Sequence, residues 1–182
     1  ACDIEDYYSA RSGSYCPMDI EWAKDGITGE LFIVQARPET VHSRESPTIL
    51  HRYRLKKVAS PILTGRAIGE KISAGRARYI RDVRDLKTFC SGEILIADKT
   101  DPDWEPIMKL ASGIITNLGG RTCHAAIVSR ELGLPAIVGT QTATALLKDG
   151  QELTISCAEG ETGRIYEGKL EFEVETIHLD KL

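Results

Sequence analysis

Six consecutive residues carry the clearest chemical potential of this chain: Gly119, Gly120, Arg121, Thr122, Cys123 and His124. An imidazole is a good nucleophile near neutral pH, so His124 is a candidate to accept a phosphoryl group and hand it on. Arg121 offers a planar fork of donors suited to phosphate oxygens. Thr122 has three readings. Its hydroxyl can bond a phosphate, it can be a modification site, or it can be the N-cap of the segment that follows, the commonest role for threonine in such a place. The glycine pair lets the backbone turn tightly, and the small Ala125 and Ala126 let a ligand approach the main chain. The string is neither GxGxxG nor a P-loop. A lone histidine at a helix start is often only a surface or capping residue, so residue types alone leave two roles open for His124.

The elements around this loop must aim it. Gly113–Thr116 has the texture of a short buried strand, and Ala125–Leu132 that of a helix, with Ile127, Val128, Leu132 and Leu134 as its apolar face. Gly133 and Pro135 stop the helix, and Pro135–Val138 is the next strand. The order strand, glycine loop, helix, strand puts His124 at a helix mouth. Unpaired N–H groups and the positive end of the helix dipole favour anions there.

Further out, Pro17–Trp22 alternates apolar and acidic residues as a strand does, and Glu30–Gln35 is a second strand. The turn residues between them predict a β-hairpin closed by Ala36–Thr40. A hairpin is not a stable domain alone, so it belongs to the edge of something larger. A helix end is expected at Asp3–Tyr8. Val41–Pro61 has no sustained pattern and predicts a connector, its basic run Arg52–Lys57 a solvated surface rather than a ligand grip. Strands are expected at Gly75–Ile80, Gly92–Ala97, Gln151–Cys157 and Thr162–Tyr166. Short helices are expected at Trp104–Ala111, after a turn that ends at Asp103, and at Thr142–Leu147. Val83–Phe89 is a polar loop or short helix, and Leu170–Leu182 an exit linker with an edge strand at Phe172–Val174. Together these predict an α/β fold of about 110 residues, within the usual size of a domain.

Composition narrows the class. The 182 residues are 42% apolar, enough for a packed core, and the net charge of −4 argues against nucleic acid as a partner. The five cysteines form no CxxC pair, which predicts free thiols rather than a disulfide framework or zinc site. No run reaches membrane length, so a cytoplasmic protein without a membrane partner is expected. A first residue other than Met predicts a segment of something longer.

The string TNLGGRTCHAAIVSRELGLPAIVG, Thr116–Gly139, resembles the phosphohistidine motif of the PEP-utilising enzyme family. MDIEWAKDG (Met18–Gly26), LFIVQARPETV (Leu31–Val41) and DPDWEPIMKLASGIITN (Asp101–Asn117) are similar to the branch that uses water as its second phosphoryl acceptor. Related branches are a phosphate dikinase and a sugar phosphotransferase component without an ATP-grasp domain. The resemblance implies a compact swivelling β/β/α-type phosphohistidine domain at 61–169, preceded by a β-hairpin remnant of an ATP-grasp domain at 1–41. A linker would span 42–60 and an exit linker 170–182. It implies that His124 takes the β-phosphoryl group of ATP and delivers it to pyruvate. Gly119, Gly120, Arg121 and Thr122 would support the phosphate, and Thr122 would also be phosphorylated by a regulatory kinase/phosphotransferase. Glu21, Gln35 and Arg37 match nucleotide-contacting residues, Glu21 also a Mg2+ ligand, with strand-end polar residues as the plainer alternative. Mg2+ and ATP would serve the full enzyme without binding this chain tightly. The partners implied are the ATP-grasp domain and a PEP/pyruvate barrel, both in the same enzyme. The family's phosphate dikinase, another phosphotransferase and a stand-alone phosphocarrier module are the alternatives. Residues 1–16 depart from the family spacing.

Overall fold

The computed structural model describes residues 2–38, 49–57 and 59–178, which fall into two compact units divided between Pro47 and Thr48. The first unit opens with helix α1 (Cys2–Ser12), longer than the helix end expected at Asp3–Tyr8. Strands β1 (Met18–Lys24) and β2 (Leu31–Pro38) then form the expected antiparallel hairpin. Asp25 shapes its turn by accepting from the backbone N–H groups of Ile27 and Thr28, both at 2.7 Å. Those bonds, led by the one from Thr28, hold its carboxyl below the usual range. Glu5 of α1 takes a bond from the Tyr15 hydroxyl, and Ser9 one from the Cys16 N–H, which pins helix to hairpin. Among its described residues no side chain is buried, and Trp22, Leu31, Phe32, Ile33 and Val34 are all more than half exposed. A unit with no interior cannot offset its own ordering entropy.

The second unit contains the core. Strands β4 (Leu63–Ile68), β5 (Ile72–Tyr79), β6 (Ile94–Ala97), β7 (Gly113–Thr116), β8 (Ala136–Val138), β9 (Glu152–Ser156) and β10 (Thr162–Glu167) close into a barrel in the order β10-β4-β8-β7-β6-β5-β9. Neighbours from β5 through β8 are parallel, and the remaining pairs antiparallel. The central runs Ile94–Ala97, Gly113–Thr116 and Ala136–Val138 are buried throughout, as strands covered on both faces must be. Alternation sends Ile94, Ile96, Ile115 and Ile137 to one cluster with Leu153, Ile155 and Ile165 from across the barrel. Leu95, Ile114, Ala136 and Val138 meet the helices α2 (Glu105–Met108) and α3 (His124–Leu132) on the other face. The α/β class is borne out, and the closed barrel is the part that short apolar runs did not reveal. Ile115 is fully buried, so Ile115→Ala should lower unfolding stability by about 2–5 kcal/mol, measured by urea denaturation.

Several expected elements take a different form. Val83–Thr88 is a 3-10 helix, and Trp104–Ala111 is a 3-10 turn, Pro102–Trp104, running into the single turn of α2. The N-cap there is Asp101, not Asp103, and its carboxylate accepts from the Asp103 N–H. The helix expected at Thr142–Leu147 is α4 (Ala143–Leu146). The linkers need the larger correction. Residues 49–55 form β3 (Ile49–Leu55), paired in antiparallel register with β11 (Phe172–His178). The edge strand expected at Phe172–Val174 is present and runs on to His178, whereas β3 looks patternless because one face carries exposed charge. The partner 120 residues away supplies what makes it a strand: the Tyr53–Phe172 ring contact and the Arg52–Glu175 and Lys56–Glu171 pairs. Glu39–Thr40, the rest of the connector through Thr48, Val58, and the exit linker from residue 179 lie outside the described residues.

Candidate functional site

Parallel strands β6 and β7 lie side by side, and the loops leaving their carboxyl ends form the candidate site. Such ends are where open α/β sheets place ligands, because the loops there converge free of the sheet. Asn117, directly after β7 and buried, binds the corner together. Its Nδ2 donates to Asp98 Oδ1 at 3.1 Å and to Thr144 Oγ1 at 2.6 Å, and its Oδ1 accepts from the Thr144 N–H at 3.2 Å. Thr140 Oγ1 donates to the Thr116 carbonyl at 3.0 Å. Loops after β6, β7 and β8 are thereby joined to the start of α4. The sequence reading missed Asn117, although an amide directly after a buried four-residue strand was the available signal.

The glycine loop sits on this base. Gly119 adopts φ 121°, and a Cβ there would lie 2.7 Å from Cys123 Sγ. The Cys123 N–H donates back to the Gly120 carbonyl at 3.2 Å, closing the turn. Helix α3 begins at His124, one residue earlier than the sequence implied, with Cys123 as its N-cap and no side-chain cap bond. The N-cap reading of Thr122 is therefore overturned. Thr122 is exposed and sits one position before the cap. Ala125 and Ala126 are buried against the barrel, so their small size serves helix packing rather than ligand approach. Ile127, assigned to the apolar face, is 45% exposed, while Ser129 occupies the buried face with Ala125, Ala126 and Val128.

His124 is half-buried at the first turn of α3, and its Nδ1 lies 3.0 Å from Thr100 Oγ1 on the loop after β6. The sequence reading missed this partner, which is 24 residues away. With the proton on Nδ1 and donated to Thr100, the ring is oriented and the Nε2 lone pair is left for attack. Glu105 on α2 is held below the usual carboxylate range, first by Lys109 at 2.7 Å and, more weakly, by the field of His124. Arg121 is exposed, and its guanidinium pairs with Glu161. Arg130, in the last turn of α3, donates from Nη2 to the Arg121 carbonyl at 2.8 Å.

Glu21, Gln35 and Arg37 lie in the other unit. Glu21 faces Gln35 directly across the hairpin, and Asp19 faces Arg37, with an ion pair of 3.3 Å. By the two-residue period of strands all four belong to one face. No group of three or more metal-ligating side chains occurs among the described residues. The five cysteines are free, and burial pushes the Cys157 thiol up to about 11, which leaves it inert.

Family models match both parts. The "PEP-utilising enzyme, mobile domain" model covers residues 89–160, and the "Pyruvate phosphate dikinase, AMP/ATP-binding domain" model covers residues 1–57. The chain is 55% identical over 98% of its length to the phosphoenolpyruvate synthase of Aquifex aeolicus, 56% over its whole length to that of Synechocystis, and 53% over its whole length to that of Escherichia coli. The chain belongs to the PEP-utilising enzymes. It spans 22% of the length of each of these relatives. Among the described residues, no helix is long and apolar enough to cross a membrane.

Proposed function

We propose that this chain is the phosphoryl-carrying part of a phosphoenolpyruvate synthase, joined to the end of that enzyme's ATP-binding domain. The contact between Thr100 and His124 Nδ1 carries the reading, because it presents Nε2 as a nucleophile at the mouth of a helix. In the forward half-reaction water takes the γ-phosphate of ATP, and Nε2 takes the β-phosphoryl group by attack on the β-phosphorus. The bond to the α-bridging oxygen breaks, and AMP leaves. In the second half pyruvate's enolate oxygen attacks the same phosphorus, the P–N bond breaks, and the electron pair returns to Nε2. Gly119, Gly120, Arg121 and Thr122 border the transferring group, with the first-turn N–H groups of α3 as fixed donors.

We assign 61–169 to the carrier domain, 1–41 to the ATP-binding remnant, and 42–60 and 170–182 to the segments that join the carrier to its neighbours. The pairing of β3 with β11 fits a carrier whose entry and exit strands move together. The exposed apolar hairpin fits a piece meant to pack into a larger ATP-grasp domain. On that hairpin Gln35 and Arg37 would hold phosphates. Glu21 fits as one carboxylate of a Mg2+ site whose other ligands come from elsewhere, since Mg2+ commonly takes one or two carboxylates with substrate phosphates. The ion's chemistry would be neutralising the polyphosphate. Neither ATP nor Mg2+ is expected to bind tightly to this chain alone. The PEP/pyruvate barrel is the second partner, and the cytoplasm the compartment. A phosphate on the exposed Thr122, two residues from His124, would repel the incoming phosphoryl group, which suits a regulatory kinase/phosphotransferase acting there.

The test mixes the full chain with separately produced ATP-grasp domain and ATP labelled at the β- or γ-position. Acid-labile, base-stable label should appear on the chain from β-labelled ATP alone. Label arriving from the γ-position, or none at all, would refute the reading. In the same assay Thr100→Val should slow labelling about three- to tenfold, the worth of one orienting hydrogen bond, with little change in stability.

A further inference from the structure

A cavity of about 580 Å³ opens between β3 and the barrel. His51 and Arg52 border it from β3, Arg121 from the glycine loop, Arg130 from α3, and Glu70 and Glu161 from two barrel turns. Three arginines therefore stand against two carboxylates, and neither His124 nor Thr100 is among the described residues that line it. Arg121 and Arg130 both line it, and the Nη2 of Arg130 donates to the Arg121 backbone carbonyl at 2.8 Å. A guanidinium has five N–H donors. Among the described residues, that bond engages one arm of Arg130, and the Arg121 guanidinium meets Glu161, itself largely exposed. The volume lies within the range of sites that take small organic ligands. Guanidinia suit phosphate oxygens, since each can bind two oxygens at once.

We propose that this cavity binds a small phosphate-bearing anion through Arg121 and Arg130, and that the anion competes with Glu161 for Arg121. Binding would then report directly on the glycine loop, because Arg121 belongs to both. By linkage, whatever moves that loop must change the affinity of the cavity by the same factor. The site shares Arg121 with the phosphoryl-accepting loop, but its described lining includes neither His124 nor Thr100, and it stands whether or not His124 carries phosphate.

Inorganic phosphate and pyrophosphate, at constant ionic strength, would be titrated into the full 182-residue chain while backbone amide shifts are followed. Saturable shifts at Gly69, Arg121 and Gly160 are expected, with pyrophosphate the tighter ligand. Arg130→Gln should raise the dissociation constant at least tenfold, and Glu161→Gln should lower it several-fold by releasing Arg121. Shifts confined to residues 122–126 would mean binding at the helix mouth instead and would overturn the proposal, as would no saturation in the millimolar range. Should Arg130→Gln disturb the loop, Glu161→Gln still decides: equal or weaker binding defeats the competition.

Discussion

His124→Ala is expected to abolish acid-labile phosphorylation of the chain by its ATP-grasp partner, to below a thousandth of the wild-type level. The loss should be total because His124 is the only imidazole of the stretch Thr116–Gly139, and the adjacent Cys123 is bound into the turn as the N-cap of α3. Thr100 and Thr122 are hydroxyls without a base to activate them. Burial holds the Cys157 thiol protonated, and the Glu105 carboxylate is engaged by Lys109. A fold defect is a weak alternative explanation. His124 is half-buried, alanine is the best helix former, and the one bond lost is that to Thr100. Unfolding stability should therefore change by no more than about 1 kcal/mol. Phosphorylation that survives in a well-folded His124→Ala protein would move the carrier role to another residue.

What the residues alone disclosed follows from how local each signal is. The strand–glycine–helix–strand order around His124 is written in contiguous residues, so the site's frame was legible. Thr100 and Asn117 were not, because their roles depend on β6 and β7 lying in parallel register, a pairing between segments about 20 residues apart. The helix face was misjudged in an informative way. Ile127 was counted as core by its type, yet it is 45% exposed, while Ala125, Ala126, Val128 and Ser129 face the barrel, a face set by helical spacing rather than by side-chain type. The connector failed for the opposite reason. β3 has no interior to bury, and only its pairing with β11, whose start was legible as an edge strand at Phe172–Val174, makes it a strand. The hairpin of the first unit was legible despite lacking a core, since alternation and turn residues are local properties of two adjacent strands. Its exposed apolar residues fit the proposed packing into a larger ATP-grasp domain.

Gly119→Val is the second large effect, and it separates the loop's shape from its chemistry. No reacting atom belongs to Gly119, so a merely chemical view predicts a mild phenotype. The backbone predicts a severe one. A φ of 121° is closed to a β-branched residue, and the added Cβ would meet Cys123 at 2.7 Å from Sγ and 3.1 Å from Cβ. Cys123 is the N-cap of α3 and cannot retreat without carrying His124 along. Strain and overlap together should cost about 2–4 kcal/mol of stability. Displacement of the ring by about 1 Å should slow phosphorylation about a hundredfold in whatever fraction stays folded. Gly120→Ala provides the structural comparison, because a Cβ there meets no atom within 4 Å and its φ is not positive. Its stability should stay within about 1 kcal/mol of wild type. Urea midpoints that fall equally for both variants would show that the loop's conformation is not what Gly119 protects. A large fall for Gly119→Val alone would show that the reach of His124 is set three residues past the end of β7, before the helix begins.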